Sequence, residues 1–189
     1  MRKRFVVLTS LLLLAVVVCS PSCVAQATSS NWQAKLRQEL PLLGHRNWIL
    51  IVDAAYPLQI SPGIETIETG ADQLAVTQGV LATLNHTIHV RPVVYLDAEL
   101  PYVSVEDYAG VTAYRDGLKK ALKPYPVQTL LHAEILDKLN EAGKTYKILV
   151  LKTTMTVPYT SVFLQLDCKY LSEEGERKLR QAMKAGAMR

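Results

Sequence analysis

The sequence predicts a single α/β domain, a mainly parallel sheet with helices on both faces. Short apolar runs rich in Val and Ile alternate along the chain with longer stretches of helical periodicity, the order that lays helices onto a sheet. The first run, Trp48-Ile49-Leu50-Ile51-Val52, is apolar at every position, as a strand covered on both faces must be. The chain has 189 residues, 49% hydrophobic and 20% charged, which suits one folded domain and excludes a disordered chain.

Taken in order, the elements follow from local chemistry. Ser29-Ser30 is placed to cap a first helix, in which Trp32, Leu36, Leu40 and Leu43 recur at near-helical spacing and Pro41 ends or bends the run. Residues 48–52 form the first strand, with Asp53 at its carboxyl end. Residues 54–70, which include Pro57, Pro62 and Gly63, read as a loop. A second helix is expected over 71–84, with Leu74, Thr77, Leu81 and Leu84 on one face. Residues 88–96 read as a second strand, part of which Pro92 demotes to an edge or a bulge. A loop over 97–110 leads to helices over 111–122 and 127–140, the latter terminated by Gly143. Strands follow at 146–151 and 162–166. The tail is a charged helix opened by Ser172, with Glu173, Glu174 and Glu176 early and basic residues late, an order that suits the helix dipole. In such sheets ligands sit beyond the carboxyl ends of the strands, which singles out Asp53.

The net charge of +4 misleads. Arg2, Lys3 and Arg4 precede an apolar run over 5–19 and an ending Val24-Ala25-Gln26-Ala27, the build of a secretory signal peptide over residues 1–27. The run is short for a membrane span. An uncut anchor, or a lipid on Cys19 or Cys23, is the only route to membrane attachment. Without the three leading cations, 18 Lys and Arg face 17 Asp and Glu, so no basic field remains to attract nucleic acid. Residues 28–171 then form the domain and 172–189 the tail. Cys168 is alone beyond the signal segment, so neither a disulfide nor a cysteine metal site is expected, and the core must hold the fold.

Few residues stand out for chemistry. His45 follows Gly44 before the first strand, and Asp53 follows that strand. They lie at opposite ends of it unless the turn at Gly44 brings the imidazole back or toward a neighbouring subunit. By pattern alone His45 is a helix-end residue and Asp53 a turn former. His132 shares a helical face with Ile135, Leu136 and Leu139, the pattern of a core histidine. Pro158-Tyr159-Thr160-Ser161 offers a phenol and two hydroxyls before the last strand, and alone reads as a polar turn. Asn85-His86-Thr87 has the form of a glycosylation sequon. The patterns HExxH, GxGxxG, GxSxG and the phosphate-binding P-loop are absent from the sequence.

Four motifs resemble one family. LGHRNWILIVDAAYP is similar to the N-terminal signature of the D-ribose pyranase and L-fucose mutarotase (RbsD/FucU) family: Gly-His, an apolar strand, Asp-Ala and a nearby Pro. ADQLAVTQGVLATL resembles its helix with the pattern Leu-Ala-x-Thr, then Gln or Lys, then Gly-Val. LHAEI resembles its segment His-x, then Glu or Gln, then Phe, with Ile135 where Phe is usual. LKTTMTVPYTSVFLQL resembles its closing strand, Pro-Tyr-x-Asn and strand. The likeness runs in order from about Leu36 to Leu166.

The resemblance implies a three-layer domain and a ring of subunits sharing a monosaccharide site between neighbours. It implies His45 as the main catalytic histidine with Asp53 beside it, His132 and Tyr159 completing the catalytic set, and Ser161 binding substrate where the family has Asn. The implied reaction is exchange of ring or anomeric forms of a reducing sugar such as D-ribose or L-fucose. It needs general acid–base catalysis and neither cofactor nor metal. Export departs from the family's usual cytoplasmic setting. A non-catalytic monosaccharide-binding or assembly protein is the alternative.

Overall fold

The computed structural model describes residues 31–187. The expected signal segment and the Ser29-Ser30 cap lie outside the described residues. Helix α1 (Trp32–Glu39) is capped by Asn31, whose Oδ1 accepts the Ala34 N–H at 3.1 Å. A 3₁₀ turn at Leu40–Leu42 closes the helix, with Pro41 inside it where no helical N–H is needed. Trp32, Leu36, Leu40 and Leu43 are all buried, as their spacing predicts.

The chain continues through β1 (Trp48–Val52), β2 (Ile64–Glu68), α2 (Gln73–Asn85), β3 (Val90–Asp97) and α3 (Val111–Leu122). It then forms β4 (Val127–Leu130), α4 (His132–Ala142), β5 (Ile148–Lys152), β6 (Val162–Cys168) and α5 (Glu173–Ala187). The strands make one mixed sheet in the order β2-β5-β1-β6-β3-β4. β1 and β2 pair parallel with β5, and β3 pairs parallel with β4. β6 is antiparallel to both its neighbours, β1 and β3. Five strands therefore run one way and β6 runs against them.

Two expectations fail. The expected loop over 54–70 contains β2, whose sequence Ile64-Glu65-Thr66-Ile67-Glu68 hides behind Pro57, Pro62 and Gly63. It is an edge strand, half-buried, so it lacks the continuous apolar run that marks β1. The expected helix over 127–140 is split. Its first residues form β4, the other edge, and the helix begins only at His132. Pro126 supplies the carbonyl that accepts the Val94 N–H and starts the β3–β4 ladder. The Pro92 nitrogen points to the same side of β3 as that of Val94, two residues on. It lies before β4 begins, so its missing N–H breaks no ladder.

Alternation along β1 divides the core. Ile49 and Ile51 face the layer of α1, α2 and α3, packing with Leu36, Val80, Leu84 and Leu118. Trp48, Leu50 and Val52 face the opposite layer with Ile135 and Leu139 of α4. All five β1 side chains are buried, and each of the four aliphatic ones contributes about 1.5–3 kcal/mol of transfer free energy. Helix α5 stands apart from both layers: Leu179 and Met183 on it are exposed. Ser172 opens it by accepting the Gly175 N–H. None of the described helices is long and apolar enough to cross a membrane.

Candidate active site

The sheet directions bring several loops to one end. The carboxyl ends of β1, β3, β4 and β5 lie together with the amino end of β6, because β6 alone is reversed. This end holds a cleft of about 720 Å³ whose lining includes Asp53, Tyr56, Tyr108, His132, Asn140 and Tyr159. No Lys or Arg is among its lining residues.

Asp53 follows β1. Its Oδ1 accepts the Ala55 N–H at 2.8 Å and its Oδ2 accepts the Ser161 hydroxyl at 3.1 Å. Ser161 is itself buried, directly before β6, and stands behind Asp53 rather than in the cleft lining. The resemblance implies Ser161 as a sugar contact; in the structure its hydroxyl donates to the Asp53 carboxylate.

His132 is the first residue of α4, not a core histidine on the inner face of that helix. Its side chain is 33% exposed. The Glu99 carboxylate accepts the His132 backbone N–H on both oxygens at 3.1 Å, an anion at a helix N-terminus where unpaired N–H groups favour it. The His132 Nδ1 lies 3.0 Å from Oδ1 of Asp97, the last residue of β3. Burial pushes the Asp97 carboxyl above its ordinary range, and the hydrogen bond to His132 opposes that rise.

Tyr159 packs its ring edge-on against the His132 imidazole, centroids 5.5 Å apart and planes at 82°. It has a φ of 59°, a left-handed backbone conformation that a residue with a Cβ adopts at a cost of about 1–2 kcal/mol. The next carbonyl, that of Thr160, is held by Gln73 Nε2 at 2.6 Å and by the Tyr114 hydroxyl at 2.5 Å. Gln73 is fully buried. It also donates to the Ile51 carbonyl and accepts from the Thr153 hydroxyl, so one amide ties the ends of β1 and β5 to the Tyr159 loop. Tyr56, buried at the cleft floor, has its phenol pushed up to about 12 by burial and by the nearby Asp53 charge.

His45 is elsewhere. It is exposed in the turn before β1, at the opposite end of the strand from Asp53. Five strand residues separate the two ends, roughly 17 Å at 3.3 Å per residue. The turn at Gly44 does not bring the imidazole back: the Asn47 N–H bonds the Gly44 carbonyl and Arg46 bonds Leu166. His45 borders a separate depression with Arg46, Trp48, Lys138, Glu141 and Tyr146. Thus the chain itself gathers Asp53, His132, Tyr159 and, behind them, Ser161, and leaves His45 out.

Sequence reasoning missed Asp97, Glu99 and Gln73. Asp97 ends an apolar run as Asp53 does, but a polar residue there reads equally as the first of a loop. Gln73 had no signal beyond being a polar residue in an apolar helix.

The fold and the cleft define a single α/β domain with acid–base side chains gathered at its strand ends. The chain is similar to the structure of Bacillus subtilis RbsD complexed with D-ribose, at 25% identity over 70% of this chain and 90% of that one, with a TM-score of 0.49. It is also similar to the fucose mutarotase in complex with L-fucose from Streptococcus pneumoniae, at 17% identity over 74% and 96%, TM-score 0.46. A third likeness is to FucU from Bifidobacterium longum, at 16% identity over 70% and 92%, TM-score 0.46. At TM-scores below 0.5 these likenesses add nothing to the chemistry of the cleft. No family model matches the chain, and no curated protein does.

Proposed function

We propose that this chain is an exported sugar mutarotase, exchanging ring or anomeric forms of a neutral reducing monosaccharide such as D-ribose or L-fucose. The observation that carries the reading is the meeting of Asp53, His132 and Tyr159 in one cleft at the strand ends. The motif likeness supports it. So does the lining, which offers carboxylate, imidazole, phenol and amide groups to hydroxyls and no cation to a phosphate.

Ring opening needs two proton movements. A base removes the proton of the anomeric hydroxyl while an acid protonates the ring oxygen as its bond to the anomeric carbon breaks. The product is the open-chain aldehyde. Closure on the other face, or by another hydroxyl, reverses both movements. His132 takes the role of base and then acid, since an imidazole can accept a proton on one nitrogen and give it back. Asp53, braced by Ser161 and Ala55, binds sugar hydroxyls. The Tyr159 hydroxyl donates to the sugar. Such catalysis contributes typically 10² to 10⁴-fold, enough for a reaction that water already performs slowly. His45 joins the site from a neighbouring copy in a ring-like assembly.

A second reading, a monosaccharide-binding protein without catalysis, is favoured by one observation: Ser161 spends its hydroxyl on Asp53 rather than facing the cleft. NMR exchange spectroscopy on D-ribose, L-fucose and other reducing sugars separates the two. Faster exchange that disappears in His132→Ala supports the mutarotase. Binding without faster exchange supports the second reading, and neither binding nor exchange sinks both.

A further inference from the structure

We propose that Asp97 is the positioning residue of this cleft. It fixes the His132 imidazole as the tautomer protonated on Nδ1, and so presents Nε2 to the cleft as a proton acceptor. The proposal rests on the acid–base reading of His132 given above and adds what sets the state of that ring.

Three contacts immobilise His132. Glu99 holds its backbone N–H with both carboxylate oxygens. The Tyr159 ring lies edge-on to the imidazole. Asp97 Oδ1 meets Nδ1 at 3.0 Å. Nε2 has no hydrogen-bond partner among the described residues, and the ring borders the cleft.

The direction of the Asp97 contact follows from the donor inventory. An ionised carboxylate only accepts, so the nitrogen facing it must carry hydrogen. The remaining nitrogen then offers a lone pair while the ring is neutral, and becomes an N–H donor once it has taken the sugar's proton. The adjacent carboxylate stabilises the cation formed at that moment.

Packing gives a second, independent reason. The Asp97 side chain has no exposed surface, and its Oδ2 is buried with no hydrogen-bond partner. A buried carboxylate with one unpaired oxygen costs the fold. Other anions face the same region: Glu99 before α4, and Asp53 after β1. Neither contacts the imidazole nitrogens, which leaves Asp97 as the group that sets the tautomer.

Nitrogen-15 NMR of the histidine rings of the whole protein tests this without any assay of activity. The two tautomers give different ring-nitrogen shifts and couplings, and loss of one signal set in His132→Ala assigns the residue. The wild-type ring is expected protonated on Nδ1 when neutral. In Asp97→Asn the amide can turn its NH₂ toward Nδ1, so the Nε2-protonated form is expected to grow. On D-ribose and L-fucose, Asp97→Asn is expected to lower kcat about 100-fold with KM changed less than about threefold, the pattern of a lost base rather than a lost binding group. A wild-type His132 protonated mainly on Nε2 overturns the proposal. So does an Asp97→Asn protein whose tautomer is unchanged, or one that shifts tautomer yet exchanges sugar at the wild-type rate. Should the wild type accelerate no sugar, the mutarotase reading fails, and the ring-nitrogen signals alone decide the role of Asp97.

Discussion

The Ser161 hydroxyl donates to Asp53 Oδ2 across 3.1 Å, joining the residue before β6 to the residue after β1. Two loops separated by more than a hundred residues are thereby locked at one carboxylate. Each supplies a neighbour to the cleft, Tyr159 on one side and Tyr56 on the other.

Removing that hydroxyl unfastens Asp53. Hydrogen bonds to charged groups are worth about 1.5–3 kcal/mol, so Ser161→Ala is expected to weaken exchange at low sugar concentration about tenfold. Saturation kinetics on the variant check this. Ser161→Asn, which restores the amide of the related motif, is expected to lower KM only if its longer side chain passes Asp53 and enters the cleft. A KM equal to that of Ser161→Ala would show the amide confined behind the carboxylate.

Tyr159 offers a second handle. The residue is 39% exposed, and its hydroxyl has no hydrogen-bond partner among the described residues. The ring packs edge-on against His132 and the residue lines the cleft. Tyr159→Phe keeps the ring and should raise KM by about tenfold, the loss of one donor to a neutral ligand. Tyr159→Ala also removes the ring beside His132, and should lower kcat as well. Steady-state exchange rates across a sugar series separate the two effects.

Away from the cleft, Glu39 sits between Lys147 and Lys35 at 3.0 Å from each. Hydrogen bonds from Lys147 and then Lys35 hold its carboxyl below the ordinary 4.5, against the opposing effect of burial. A carboxylate depressed in this way stabilises the fold fully above pH 4.5, and the contribution is lost as pH falls through the lowered folded value. The thermal midpoint of the wild type should therefore drop more steeply than that of Glu39→Gln between about pH 5 and pH 3. Equal slopes would show that the ion pairs contribute nothing measurable.

Sharing of the site between copies is tested by mixing. His45→Ala and His132→Ala chains are each expected to be inactive alone. Co-refolded in equal amounts, they should recover about a quarter of wild-type exchange if each site takes His132 from one copy and His45 from the next. No recovery in a mixed assembly would exclude the shared site.

How far these features could be read from the sequence depended on burial. The strand β1 was legible to the residue, because full burial leaves an unbroken apolar run. Helix α3 was equally legible, bounded by Gly110 in a left-handed conformation and by Leu122. The edge strands β2 and β4 were not, because an exposed edge carries polar residues that read as loop or helix. Asp53 and Tyr159 both line the cleft, a position to which a strand end points for the first and a motif for the second. The position of His132 at the start of α4 was hidden by the misread β4. Its partner Asp97 was hidden because a hydrogen bond between residues 35 apart leaves no trace in local pattern.

The central place of β6 has a consequence for how the protein comes into being. Without that strand the sheet is two pieces, β2-β5-β1 and β3-β4, each with a bare inner edge. β6 is the last of these six strands to leave the ribosome, and it must insert between the two pieces rather than add to a rim. Until it does, the edges of β1 and β3 are open to pairing with any other strand, and the nascent chain is at its most prone to aggregate. The same insertion delivers Tyr159 to the cleft and the Ser161 hydroxyl to Asp53. Closure of the sheet and completion of the cleft are thus a single late event, and a chain cut short before Pro158 has neither.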